Sequence, residues 1–196
     1  IVRLRINLTI LRKPPEDGGF LLSELPERIA ALEPRAKNYT HRDIADERLD
    51  YWLKPEKEAE INFDIRFGWT AAPYFINSYR SGESEVVDEL HRQGIAVGFF
   101  FFERAAAVSP EAAEALDRTI IADFRGMLSE TAPGAASVVG EAFSERRCYV
   151  EVMLWDSDRV FEAVQNWSSQ ASNVRAAAFR SYRRPARILF FKSADR

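Results

Sequence analysis

The sequence is poor in the residues from which metal sites, disulfides and phosphate-binding loops are built. Its 196 residues include one cysteine, Cys148, and two histidines, His41 and His91. A single cysteine cannot form an internal disulfide, so the chain carries no mark of an oxidising compartment. The histidines stand at ligand spacing neither with each other nor with Cys148, and no metal site is expected. No glycine falls in GxxxxGK[ST], GxGxxG or GxSxG, which removes phosphate-cradling loops and the nucleophile elbow; no cofactor is expected either. HRD at 41–43 matches the start of a kinase catalytic loop but lacks the glycine-rich loop and the downstream asparagine, so it is read as chance. The positions two before each lysine hold Leu11, Arg35, Trp52, Pro55 and Phe190. None is acidic, and the acidic-x-lysine pair of many nucleases is therefore missing.

Long apolar runs are missing as well. No stretch approaches the roughly 20 residues of a membrane span, and IVRLRINLTIL at the start alternates arginine with aliphatics where a signal peptide would run continuously apolar. The expected compartment is the cytoplasm, with no membrane partner. Position 1 is isoleucine, which leaves a preceding segment open.

What is present is ordinary for a globular chain: 46% hydrophobic and 29% charged residues. A net charge of −3 makes the overall field mildly repulsive to phosphate backbones, so nucleic acid is not the expected partner. The basic residues are 22 arginines and 5 lysines, a bias typical of GC-rich bacterial genomes. The length suffices for a core without disulfide or metal staples.

Residue patterning predicts a strand over Val2–Leu11, a helix capped by Ser23, a short helix over IADERLDYWL, and a strand over EAEINFDIRFGW. PYFINSYR reads as a hairpin partner of that strand. ESEVVDELHRQG reads as a helix ending at Gly94, and IAVGFFFFE as a strand buried on both faces. Ser109-Pro110 opens a long helix, TAPGAASVVGEAFSE is loop-like, and RRCYVEVMLW is a strand. A long helix over residues 156–182 and a closing strand ARILFFK complete the chain. This order predicts an α/β (α+β) fold: a single domain over 1–196, a mixed sheet sandwiched with helices mainly on one face. A coarse repetition divides it into halves of about 1–94 and 95–196.

Two surfaces stand out as binding candidates. One is the polar face expected for INFDIRF, with Asp64 and Arg66, set beside Arg3, Arg5 and Asn7 of the first strand and Tyr149 and Glu151 of another. Cross-strand pairing on a solvated face accounts for it, in which case Asp64→Asn costs less than roughly 1 kcal/mol. The other is GWTAAPYFINSYRSG, which gathers Trp69, Tyr74, Phe75, Tyr79 and Arg80, a set rich in the types that dominate binding hot spots and equally fill cores. Trp155 and Trp167 are expected in the core. Arg180, Arg183, Arg184 and Arg187 are expected at a helix C-terminus, where cations complement the dipole. Cys148 alternates with Val150, Val152 and Leu154, which predicts a buried, inert thiol. Glu103, Asp123, Glu151, Asp156 and Asp158 form an acidic site only if folding gathers them.

Without a catalytic signature, the expected function is binding of another protein, and no catalytic residue is assigned. The acidic α/β layout resembles the stand-alone immunity proteins of bacterial toxin systems, which implies an inhibitor that caps a partner toxin or enzyme. Two alternatives remain: a small enzyme whose carboxylates and arginines meet only in the fold, and a structural subunit of a larger assembly.

Overall fold

The computed structural model describes residues 48–56, 60–107, 109–183 and 185–193. The chain divides into two compact units, 1–43 and 44–196, and every described residue belongs to the second. The expected first strand, the Ser23 helix, Arg3, Arg5, Asn7 and His41 lie outside the described residues.

Among the described residues seven strands and four helices follow one another: β1 (Leu49–Trp52), β2 (Phe67–Thr70), α1 (Pro73–Ser81), α2 (Glu85–Arg92), β3 (Ala96–Arg104), α3 (Pro110–Thr131), β4 (Ala136–Phe143), β5 (Arg147–Leu154), α4 (Ser157–Gln170), β6 (Val174–Ser181) and β7 (Leu189–Lys192). They form one sheet in the order β1-β2-β4-β5-β3-β6-β7, and each of its six pairings is antiparallel, which narrows the expected mixed sheet. Within it, β3-α3-β4 and β5-α4-β6 are two successive strand-helix-strand units. Their strands are ordered β4-β5-β3-β6, the split βαβ topology of ferredoxin-like folds. The expected repetition of halves 1–94 and 95–196 reaches outside the described residues; the repetition visible inside them is this shorter one.

The strand β3 explains the layering. Its phenylalanines alternate, so Phe100 and Phe102 face the long helices α3 and α4, while Phe99 and Phe101 face the short helices α1 and α2. The greater helical mass thus covers one face, as expected. Two of the four consecutive phenylalanines have small neighbours on β6, Phe101 pairing with Ala178 and Phe102 with Ala177, while Phe100 packs its ring on the Phe179 opposite it. The Ser109 hydroxyl accepts the Ala112 N–H and Pro110 opens α3, as the sequence predicts. On α4, Trp167 packs edge-on against Phe102 with ring centroids 5.4 Å apart.

Five expectations are corrected. The described part of IADERLDYWL is not helical: Leu49–Trp52 pairs with Thr70–Phe67, and the ladder outweighs local helix propensity, while residues 44–47 lie outside the described residues. INFDIRF is not a strand, because Asn62 takes a left-handed φ of 70° and turns the chain; pairing begins only at Phe67. PYFINSYR is the helix α1, with Pro73 at its first turn and Gly82 closing it at φ 84°. The loop-like segment 131–145 contains β4, whose small residues are demanded by its neighbours. The predicted helix over 156–182 stops at Gln170 and gives way to β6, so Arg180, Arg183 and Arg187 stand at no helix C-terminus; Arg184 lies outside the described residues.

Candidate functional site

Two polar assemblies lie on the α1/α2 face. In the first, β2, β4 and β5 bring Thr70, Gly140 and Glu151 into one cross-strand row. The Glu151 side chain lies across Gly140, where an added Cβ would stand 2.5 Å from its Oε2. This gap in the row lets Thr70 Oγ1, two strands away, donate to Glu151 Oε2 at 2.8 Å. Tyr51 donates to Oε1 at 3.4 Å, and the Tyr182 hydroxyl also reaches the carboxyl. Burial pushes the Glu151 carboxyl up to about 8, against these hydroxyls, which pull it down. At neutral pH Glu151 is therefore mostly an uncharged acid, and it is 2% exposed.

In the second assembly, Asp64 receives the Tyr149 hydroxyl and, at 3.0 Å, the Arg147 guanidinium, whose Nε reaches Glu103 at 3.3 Å. Asp64 is 4% and Arg147 8% exposed. Burial first, and the Asp64 charge next, keep the Tyr149 phenol protonated and donating. This is one carboxylate and arginine cluster of the kind the enzyme alternative needs; its Asp64 and Arg147 are buried, while Glu103 also lines an open cleft. The reading of Asp64, Tyr149 and Glu151 as a solvated face is thereby corrected. The INFDIRF loop presses onto this side of the sheet, with Phe63 and Ile65 entering its core.

The other candidates separate. Tyr79 is buried against Phe99 and Tyr182, which assigns it to the core. Arg80 pairs with Glu56 and donates to the Asn62 carbonyl at 3.1 Å. Tyr74 is exposed on α1. Arg66 is exposed and pairs with Glu145 at 2.6 Å. Cys148 is fully buried, as expected, and burial raises its thiol well above the usual range. The remaining carboxylates stay scattered: Asp156 caps α4, and Asp123 and Asp158 are exposed on separate helices. Among the described residues no group of three or more His, Cys, Asp and Glu is placed to hold a metal ion, and no helix is long and apolar enough to cross a membrane.

An open surface lies on the α3/α4 face. The helix α3 packs on β3, β5 and β4, leaving β2 and β1 as a wing beyond it. One row across this wing runs Trp52, Phe67, Phe143, with the Phe67 and Phe143 rings stacked at 5.0 Å and Trp52 78% exposed. The next runs Asp50, Trp69, Glu141. Trp69 Nε1 donates to Glu141 at 3.0 Å, Arg125 of α3 reaches the same carboxylate at 2.8 Å, and the Arg48 guanidinium lies 5.1 Å from the Trp69 ring. Trp69, singled out from sequence, belongs here; Trp52 was missed, because DYWL read as helix.

At the end of the wing a cleft of about 670 Å³ opens between the start of β2, the β4–β5 turn, the end of β3 and the first turn of α3. Its charged lining comprises Arg66, Arg104, Arg146 and Arg175 with Glu103, Glu114, Asp117 and Glu145. Burial raises Asp117 to about 6, although Arg104, at 3.0 Å, opposes the rise. Compared with protein-family models, curated proteins and solved structures, the chain matches none.

Proposed function

We propose that the chain is a non-catalytic binding protein of the inhibitor or immunity type, docking on a partner toxin or enzyme through the β1–β2 wing. The observation that carries this reading is where the two kinds of residue lie. Asp64, Glu151 and Arg147 are buried under the α1/α2 face, and each carboxylate lining the open cleft is already paired with an arginine. Large aromatics beside arginines, the composition of binding hot spots, lie on the wing instead: Trp52, Phe67 and Trp69 with Arg48 and Arg125.

The test is affinity capture from an extract of the source organism on the immobilised chain, followed by gel filtration. A defined complex with one other protein supports the reading, and neutralisation of that protein's activity on co-expression supports its inhibitor form. Recovery of the chain only as a self-assembly would favour a structural subunit.

A further inference from the structure

The cleft at the end of the wing has an unbalanced set of partners. Each carboxylate in its lining already holds an arginine: Glu103 holds Arg147 at 3.3 Å, Glu114 holds Arg118 at 2.7 Å, Asp117 holds Arg104 at 3.0 Å, and Glu145 holds Arg66 at 2.6 Å. Arg146 and Arg175 are exposed, line the same cleft, and make no side-chain hydrogen bond or ion pair among the described residues. A guanidinium carries five N–H donors and no acceptor. The cleft therefore offers two unused donor forks while its acceptors are engaged, and the complementary ligand group is a carboxylate that a guanidinium grips with two parallel bonds.

We propose that the cleft receives an acidic segment of the partner protein, with aspartate or glutamate side chains held by Arg146 and Arg175. This rests on the reading of the chain as a binding protein. A protein segment is favoured over a small ligand because the cleft is continuous with the wing: Phe67 and Phe143 line it and share a cross-strand row with Trp52. A partner covering Trp52 lays its neighbouring residues into the cleft.

The probe is a short fluorescein-labelled peptide of glutamate and alanine, with a lysine and alanine peptide and inorganic phosphate alongside, followed by fluorescence anisotropy. The chain is compared with R146E/R175E and with R92E, a reversal on α2 outside the cleft lining. Matching circular dichroism and melting temperatures establish that the variants fold. The expected result is binding of the acidic peptide alone, weakened about tenfold or more in R146E/R175E and retained in R92E. No binding to the wild-type chain, equal weakening in R92E, or displacement by phosphate at concentrations like the peptide's would overturn the proposal. If the peptide fails while the wing still captures a partner, the cleft assignment falls alone. If the peptide binds but no partner is captured, the binding-protein reading falls, the partner-segment assignment falls with it, and only the cleft's affinity for acidic chains stands.

Discussion

The two faces of the sheet are built from one strand in two different ways. On the α3/α4 side, Phe100 and Phe102 meet Phe124, Ile120, Cys148, Val150 and Val152 in a core of apolar side chains. On the α1/α2 side, Phe99 and Phe101 share their layer with Tyr149 and Tyr182, and threaded among them are Asp64, Arg147, Thr70 and Glu151. The first face holds few buried polar groups, Ser168 and the Arg104-paired Asp117 among them. The second admits buried carboxyls because each has donors within reach: hydroxyls for Glu151, a phenol and a guanidinium for Asp64. A buried acid is thus no sign of a catalytic site by itself.

The comparison can be broken by truncating each face in turn. Phe100→Ala should cost about 3–5 kcal/mol, since Phe124 and Phe179 surround the ring and the cavity has little means of collapse. Asp64→Asn should cost about 3 kcal/mol by leaving the Arg147 charge without its buried partner. Urea unfolding measures both. A loss below about 1 kcal/mol for Asp64→Asn would return this residue to the solvated role that its sequence context suggests.

A pH titration sharpens the contrast. Glu151 has a folded value of about 8 against 4.5 unfolded, so the folded state binds more protons between them. Its contribution to stability is complete below 4.5 and is lost as pH rises through 8. Asp117 acts in the same direction only up to about 6, and the lowered His91 acts oppositely only up to 6.5. Between 6.5 and 8, stability should fall by up to about 1.4 kcal/mol per unit in the wild-type chain and stay nearly level in Glu151→Gln. Parallel profiles would show that Glu151 is ionised throughout. The smallest effect is expected at the surface: Arg66→Gln removes an exposed pair with Glu145 and should change stability by less than about 1 kcal/mol.

Segments with strong local signals were legible in the sequence. The unbroken apolar run of β3, the Ser109-Pro110 start of α3 and the alternation of β5 all hold. Strands made of small residues were not legible, because alanine and glycine carry no strand signal of their own. Gly140 is required by the Glu151 carboxyl over it, and Ala177 and Ala178 by the phenylalanines beside them. The INFDIRF alternation came from a loop that places Phe63, Asp64 and Ile65 on the sheet, a packing outcome that period-2 patterning cannot separate from a strand. Pro73 and Gly82 did punctuate α1, but the aromatic content between them suggested a hairpin. Of the site, Trp69 was legible by type and Arg66 by its charge. Arg146 and Arg175 lie far apart in sequence and meet only through the strand order.

Under the proposed function, the buried acids support the fold and the wing binds the partner. The direct test is capture from source-organism extract with three baits: the wild-type chain, Glu151→Gln, and the double variant Trp52→Ala with Trp69→Ala, each checked for folding. The expected result is one partner retained by the wild-type chain and by Glu151→Gln and lost from the tryptophan variant. Retention by the tryptophan variant together with loss from a folded Glu151→Gln would contradict it and place function in the polar layer.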